Sequence, residues 1–351
     1  MKTCRHLYKQ ITEFENLYLA WRLARKGKRG KPPAADFERI QDEELLALQR
    51  ELRGHTYQPG PYHSFFIHEP KRRLISAAPF RDRVVHHALC RVIEPIWEQR
   101  FIFDSYANRV GKGTHRAIDR AQQFARRYRY FLQCDVRQFF PSIDHAILRA
   151  ELTRLIADEK TLWLCDQILA SGTGVLSEEY DMVYYPGDSL FDANRPRGLP
   201  IGNLTSQFWA NVYLNDFDHF VKRTLKCKAY VRYVDDFILF ADQKTTLLGW
   251  KQAITKKLAV LRLSIHENKA HVFPVTTGIP FLGFGIYPDH RLLKRKKYVK
   301  FRRHFKKLRQ RYARGDVSLD RVDASVQGWV NHVRYGDTLG LRRAILSQPT
   351  L

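Results

Sequence analysis

Two adjacent acids, Asp235 and Asp236, stand between the β-favouring runs Tyr230-Val231-Arg232-Tyr233-Val234 and Phe237-Ile238-Leu239-Phe240. Carboxylates are costly to bury, whereas a continuous apolar run suits a strand buried on both faces. The arrangement compatible with both is a hairpin with the acids at its turn. Arg232 is the one local basic partner. Oxygen ligands so clustered suit a hard divalent cation, and they direct attention to a third acid upstream.

That acid is Asp135, which ends the short apolar strand read from Tyr130 to Cys134 and is followed by Val136-Arg137-Gln138-Phe139-Phe140. A lone Asp at a strand end is ordinarily a turn or cap residue. An acid after an apolar strand, a glycine-bearing loop, then Asp-Asp inside an apolar hairpin is a far narrower pattern. Three acids on adjacent strands could hold two Mg²⁺ ions about 4 Å apart, which activate an attacking 3′-hydroxyl and stabilise charge at phosphorus.

The partner class follows from charge. With 60 Lys and Arg against 36 Asp and Glu, the 351-residue chain carries a formal charge of +24, which favours polyanions and nucleic acid first among them. No basic amphipathic helix with a strong apolar face and no run of 18 apolar residues points to a membrane, and the first residues carry no secretory pattern. The five cysteines are scattered without CxxC or zinc spacing, so reduced thiols in a cytoplasmic protein are expected, with Cys134 buried in its strand.

Periodicity places helices over about 7–24, 36–53, 81–97, 115–129, 143–157, 162–170, 205–226 and 247–263. A basic-tipped hairpin is expected over 62–76, turning at Pro70-Lys71-Arg72-Arg73, and a strand pair around 271–286. Residues 171–200 are rich in Gly, Pro and Asp and read as a long irregular insertion. From Lys294 to Arg314 there are twelve Lys and Arg and no acid, with Phe301, Phe305, Leu308 and Tyr312 at helical spacing. This is a helix with one packed face and basic sides, and Trp329 and Tyr335 are expected to pack beside it.

In order along the chain, Asp135 with Phe139-Phe140, Gly198-Leu199-Pro200-Ile201-Gly202-Asn203-Leu204-Thr205-Ser206-Gln207 and Tyr233-Val234-Asp235-Asp236 resemble the motifs of reverse transcriptases. Phe281-Leu282-Gly283-Phe284 resembles the primer grip, and Lys269 fits the motif before it. The resemblance runs from about residue 13 to 334. The stretch Ile201 to Gln207 departs from the Gln-Gly-x-x-x-Ser-Pro pattern of group II intron and retron enzymes and resembles diversity-generating retroelements. Glu69-Pro70-Lys71, Arg73-Leu74-Ile75-Ser76, Asp82-Arg83-Val84-Val85, His87-Ala88-Leu89-Cys90 and Gly111-Lys112-Gly113-Thr114-His115 resemble the same group.

The resemblance implies an α+β right-hand polymerase with fingers over 1–129, palm over 130–145 and 198–288, an insertion over 146–197, and a thumb over 289–351. It implies Asp135, Val136, Asp235 and Asp236 at two Mg²⁺ ions (Mn²⁺ being an alternative), with Asp236 more positional than ligating. Phe140, beside Phe139, becomes the ring that clashes with a ribonucleotide 2′-hydroxyl. Gly202 allows close backbone approach, and Gln207 begins a helix beneath the nascent pair. Lys71, Arg73 and Arg109 are triphosphate contacts or a basic surface against template backbone. Lys269 is a general acid toward pyrophosphate or a plain surface lysine. Lys294, Arg295, Lys296, Lys297, Arg302, Arg303, Lys306 and Lys307 grip duplex phosphates. The implied partners are template RNA, a DNA or RNA primer, dNTPs, a structured non-coding RNA and a small basic accessory protein. The implied activity is error-prone RNA-directed DNA synthesis in a prokaryotic or phage-encoded element. The alternatives are a domesticated antiphage reverse transcriptase copying a non-coding RNA, and a non-catalytic RNA-binding scaffold.

Overall fold

The computed structural model describes residues 3–68 and 71–347. Glu69 and Pro70, at the expected turn of the basic hairpin, lie outside the described residues. The chain divides into two compact units.

The first unit comprises residues 1–103, 135–226 and 252–266. Its central element is the helix Phe80–Glu98, which buries Val84, Val85, Leu89, Ile93 and Trp97 and is flanked by the helices Phe14–Ala24 and Leu204–Tyr213. The expected helix over 7–24 is two helices, Leu7–Thr12 and Phe14–Ala24. Glu13 is extended between them, and the Asn16 side chain donates to the Ile11 carbonyl that the break leaves open. The helix expected over 36–53 likewise divides into Pro32–Arg39 and Gln41–Arg53, ending at Gly54. Strands β1 (His63–Ile67) and β2 (Arg73–Ala77) form the expected antiparallel hairpin.

The second unit comprises residues 104–134, 227–251 and 267–351. Strands β3 (Tyr130–Asp135), β4 (Tyr230–Tyr233), β5 (Asp236–Ala241) and β6 (Val272–Pro274) form one sheet in the order β4-β5-β3-β6. The division between the units falls after Cys134, so the last residue of β3, Asp135, begins the next stretch of the first unit. The helix Thr114–Ala125 packs Ala117, Ile118, Ala121 and Phe124 into a core shared with Phe131, Val231, Ile238 and Phe240. This helix stops at Ala125, short of the expected 129.

The strand pair expected over 271–286 is divided: β6 joins β3, while β7 (Ile279–Phe281), β8 (Phe284–Ile286) and β9 (Arg291–Leu293) make a separate antiparallel sheet. The basic helix runs Arg295–Ala313 and buries Phe301 and Leu308, with Phe301 stacked on Trp329 at 4.1 Å. Tyr312, expected in the packed stripe, is exposed instead, one turn before the chain reverses at Gly315. Tyr335 stacks not in that helix pair but on His115, at 3.5 Å.

The β4–β5 hairpin forms as expected and is tighter than the sequence implies. Tyr233 pairs with Asp236, so Val234 and Asp235 alone make the turn. Val234 has φ 59°, a region that favours Gly, Asn and Asp and is unusual for a β-branched residue. Arg232, fully buried, donates from Nη1 to the Val234 carbonyl at 2.9 Å. Its backbone is bonded on the other side: its N–H donates to Asp104 O, and its carbonyl accepts from the Tyr106 N–H. Arg232→Met should therefore lower the unfolding free energy by roughly 3 kcal/mol, since it removes a fully buried charged donor from a half-buried carbonyl. Denaturant unfolding measures this, and a midpoint equal to that of the parent protein would contradict it.

Candidate active site

The acids sit where strands end. In the sheet, β3, closing on Asp135, lies beside β5, opening on Asp236. Asp235 and Asp236 are half-buried. Gln133 Nε2 donates to both Asp236 oxygens, at 2.9 and 3.2 Å, and lies 3.3 Å from Pro280 O. No motif marks Gln133, although its position two residues before Asp135 puts it on the same face of β3. Lys294 also feels Asp236: although the residue as a whole is exposed, partial desolvation of its ammonium pulls the pKa below its usual value, and the carboxylate opposes that shift.

Within the first unit, Asp135 opens a segment held against residues 264–266. The Asp135 carbonyl accepts from His266 N–H at 2.9 Å, and Arg137 N–H donates to Ser264 O at 2.8 Å. Asp135 Oδ2 stands 4.0 Å from His266 Nε2, a neighbour that no motif or spacing in the chain singles out. Val136 is buried and bridges to Ile265. Phe139 is also buried, while Phe140 remains half-exposed, set edge-on against it at 5.4 Å.

The stretch from Gly198 to Gln207 sorts by exposure. Asn203 and Ser206 are buried: the Asn203 amide accepts from Ala78 N–H and donates to Ser76 O and Pro200 O, and Ser206 Oγ donates to Pro200 O. Gly202 and Gln207 are exposed and Ile201 is half-buried. Gln207 lies in the first turn of Leu204–Tyr213, where a helix start is expected. The helix expected to continue to 226 is interrupted at Leu214 and restarts as Asn215–His219 and a π-type turn.

Lys71 and Arg73 are exposed on the β1–β2 hairpin. In the second unit, Arg109 donates to Ser105 O, Lys269 is exposed on the one-turn helix Glu267–Lys269, and Lys294, Arg295, Lys296, Lys297, Arg302, Arg303, Lys306 and Lys307 are all exposed. Thr114 Oγ1 and Tyr233 Oη lie 3.1 Å apart, tying the Gly111–His115 stretch to the end of β4.

Among the described residues, no three His, Cys, Asp or Glu side chains form a ready metal cage. Asp235 and Asp236 in the second unit, and Asp135 in the first, are each half-exposed carboxylates, the hard oxygen donors that a divalent cation of the Mg²⁺ type prefers. Mg²⁺ keeps waters and takes substrate phosphates beside one or two carboxylates, so a preformed protein cage is not required.

Residues 67–286 match the reverse transcriptase (RNA-dependent DNA polymerase) family. The chain belongs to that family. Its fold is accordingly the α+β fold of right-hand polymerases, and such enzymes take nucleic-acid substrates with an RNA template and generally use divalent metal ions. It is 26% identical to Protein YkfC of Escherichia coli K12 over 345 residues, covering 85% of this chain and 86% of that protein. It is 25% identical to the group II intron-encoded protein LtrA of Lactococcus lactis over 221 residues, covering 61% of this chain but 35% of LtrA. Among solved structures, apo telomerase from Candida tropicalis aligns with a TM-score of 0.49 at 13% identity, over 66% of this chain and 48% of that one. No helix among the described residues is long and apolar enough to cross a membrane.

Gly202 is the most constrained glycine of this region. Its φ is +119°, and a Cβ would meet Ile75 Cγ2 at 3.0 Å, while Ser76 N–H is already bonded to Ile201 O. Gly202→Ala should cost roughly 1–3 kcal/mol from backbone strain, before any loss of activity. Chemical denaturation checks it, and an unshifted midpoint would show that the backbone can leave this conformation freely.

Proposed function

We propose that this protein extends a primer on an RNA template, the primer 3′-hydroxyl attacking the α-phosphate of a dNTP with release of pyrophosphate. The observation that carries this reading is the two-residue turn at Asp235, strained at Val234 and held by buried Arg232. Strain kept in a tight turn beside acids is characteristic of a functional constraint.

Asp135, Asp235 and Asp236, with the carbonyl of Val136, are the proposed ligands of two Mg²⁺ ions. When bound, these would supply Lewis-acid stabilisation of the reacting phosphate and a more acidic 3′-hydroxyl. Gln133 orients the Asp236 carboxylate through its two hydrogen bonds. Phe140, half-exposed above buried Phe139, excludes the 2′-hydroxyl of a ribonucleotide by clash. Lys71, Arg73 and Arg109 draw in the triphosphate, and Lys269 protonates the departing pyrophosphate. The exposed cations of Arg295–Ala313 track duplex phosphates as a thumb helix, with the four-stranded sheet as palm.

Asp235→Asn tests the chemistry. It keeps side-chain volume but removes charge, and it should reduce primer extension on an RNA template with Mg²⁺ by on the order of a hundredfold or more. Undiminished cDNA yield would sink the assignment.

The finer reading is an error-prone enzyme of a diversity-generating retroelement, working in a prokaryotic cytoplasm with a structured RNA and a small basic protein. Ile201 and Gln207 support it. They depart from the Gln-Gly-x-x-x-Ser-Pro pattern at positions that are half-buried and exposed, while the shared Ser206 is buried. Sequenced cDNA should then carry excess substitutions opposite template adenines. An even error spectrum would reject this subtype and leave the polymerase reading intact.

A further inference from the structure

The insertion over 171–197 is not the loose loop its composition suggests. Arg262 grips Asp188 with two bonds of 2.6 and 2.7 Å, holding that carboxyl below its usual pKa. Ser189 and Asp192 close a capping box around the one-turn helix Leu190–Asn194. Arg195 binds the buried Asp144 through two bonds of 2.6 and 3.1 Å. A loop fastened in this way can serve as a fixed point for something else.

What it fastens is the segment ahead of Phe140. Gln138 has φ 44°, a left-handed conformation unfavourable to a residue with a Cβ, and it heads the short helix Phe139–Ser142. Its side-chain Oε1 accepts from the Asp181 N–H at 3.1 Å. Neighbouring Arg137 reaches the same residue, Nη2 to Asp181 Oδ2 at 2.6 Å. Two residues past the end of the insertion, Leu199 N–H donates to the Phe140 carbonyl at 3.0 Å. Ser142 Oγ closes the turn from within, donating to Gln138 O at 2.7 Å.

We propose that the 171–197 insertion is a strap that sets the ring of Phe140 for discrimination between deoxyribo- and ribonucleotides, with Asp181 as its positioning residue. This rests on the role given to Phe140 above. The Arg137–Asp181 pair is too exposed to contribute much to stability. Its effect lies in placement, because a clash-based choice between substrates depends on sub-ångström position.

Single-nucleotide primer extension with the full chain tests this, comparing kcat/KM for a dNTP and its matching rNTP. Asp181→Ala and Gln138→Ala should each raise the rNTP:dNTP ratio by about three- to tenfold, with dNTP kcat changed less than about twofold. Phe140→Ala serves as the reference and should raise the ratio further. If Phe140→Ala raises the ratio and neither strap variant does, the strap is refuted and the gate stands. A fall in dNTP kcat at constant ratio in the strap variants would mean a structural role only and would also refute it. If Phe140→Ala leaves the ratio unchanged, the gate reading falls and the strap falls with it.

Discussion

A single guanidinium holds a strained turn. Val234 occupies the first position of a two-residue hairpin where a β-branched side chain is disfavoured, and Arg232 Nη1 binds its carbonyl from a fully buried position. Burying an arginine completely is costly unless its hydrogen bonds are satisfied. Here that burial serves a backbone conformation. Glycine or asparagine would form the same turn with less strain, but a more permissive residue would also let Asp235 wander. The combination fixes the acid to the end of the sheet.

The rest of the second unit makes that fixation possible. Residues 104–106 bond to Arg232 on one side of β4, and β5 pairs along the other, so β4 has partners on both edges. The helix Thr114–Ala125 covers the hydrophobic face, and Thr114 at its start meets Tyr233. A glycine-containing stretch far from the acids in sequence thereby bears on the residue next to their turn.

How much of this the sequence disclosed varied with the physics. The β4–β5 hairpin and β3 were legible because acids flanked by continuous apolar runs have few other places to go. The basic helix was legible from its single apolar stripe. Helix breaks at Glu13 and Leu214 were not, since apolar periodicity continues across both; bonds to distant main chain accompany them, such as Asn16 to Ala88 O and Tyr213 Oη to Leu261 O. The pairing of β6 with β3 was hidden because sequential strands ordinarily pair with each other, and here 272–274 pairs with a strand 140 residues earlier. At the site, Asp135, Asp235 and Asp236 stood out by type and context. Gln133, His266 and Arg232 did not, because their importance lies in hydrogen bonds to main chain or carboxylate that no spacing rule announces.

The stretch from Gly198 to Gln207 divides within ten residues into positions the fold demands and positions it leaves free. Asn203 and Ser206 are spent on backbone groups of Ser76, Ala78 and Pro200, so substituting either leaves buried donors or acceptors unpaired. Gly202 is required by its φ and by the approach of Ile75. Gln207 faces solvent, and Ile201 is only half-covered. Neither is demanded by the core, so their identity is free to follow what the enzyme must hold.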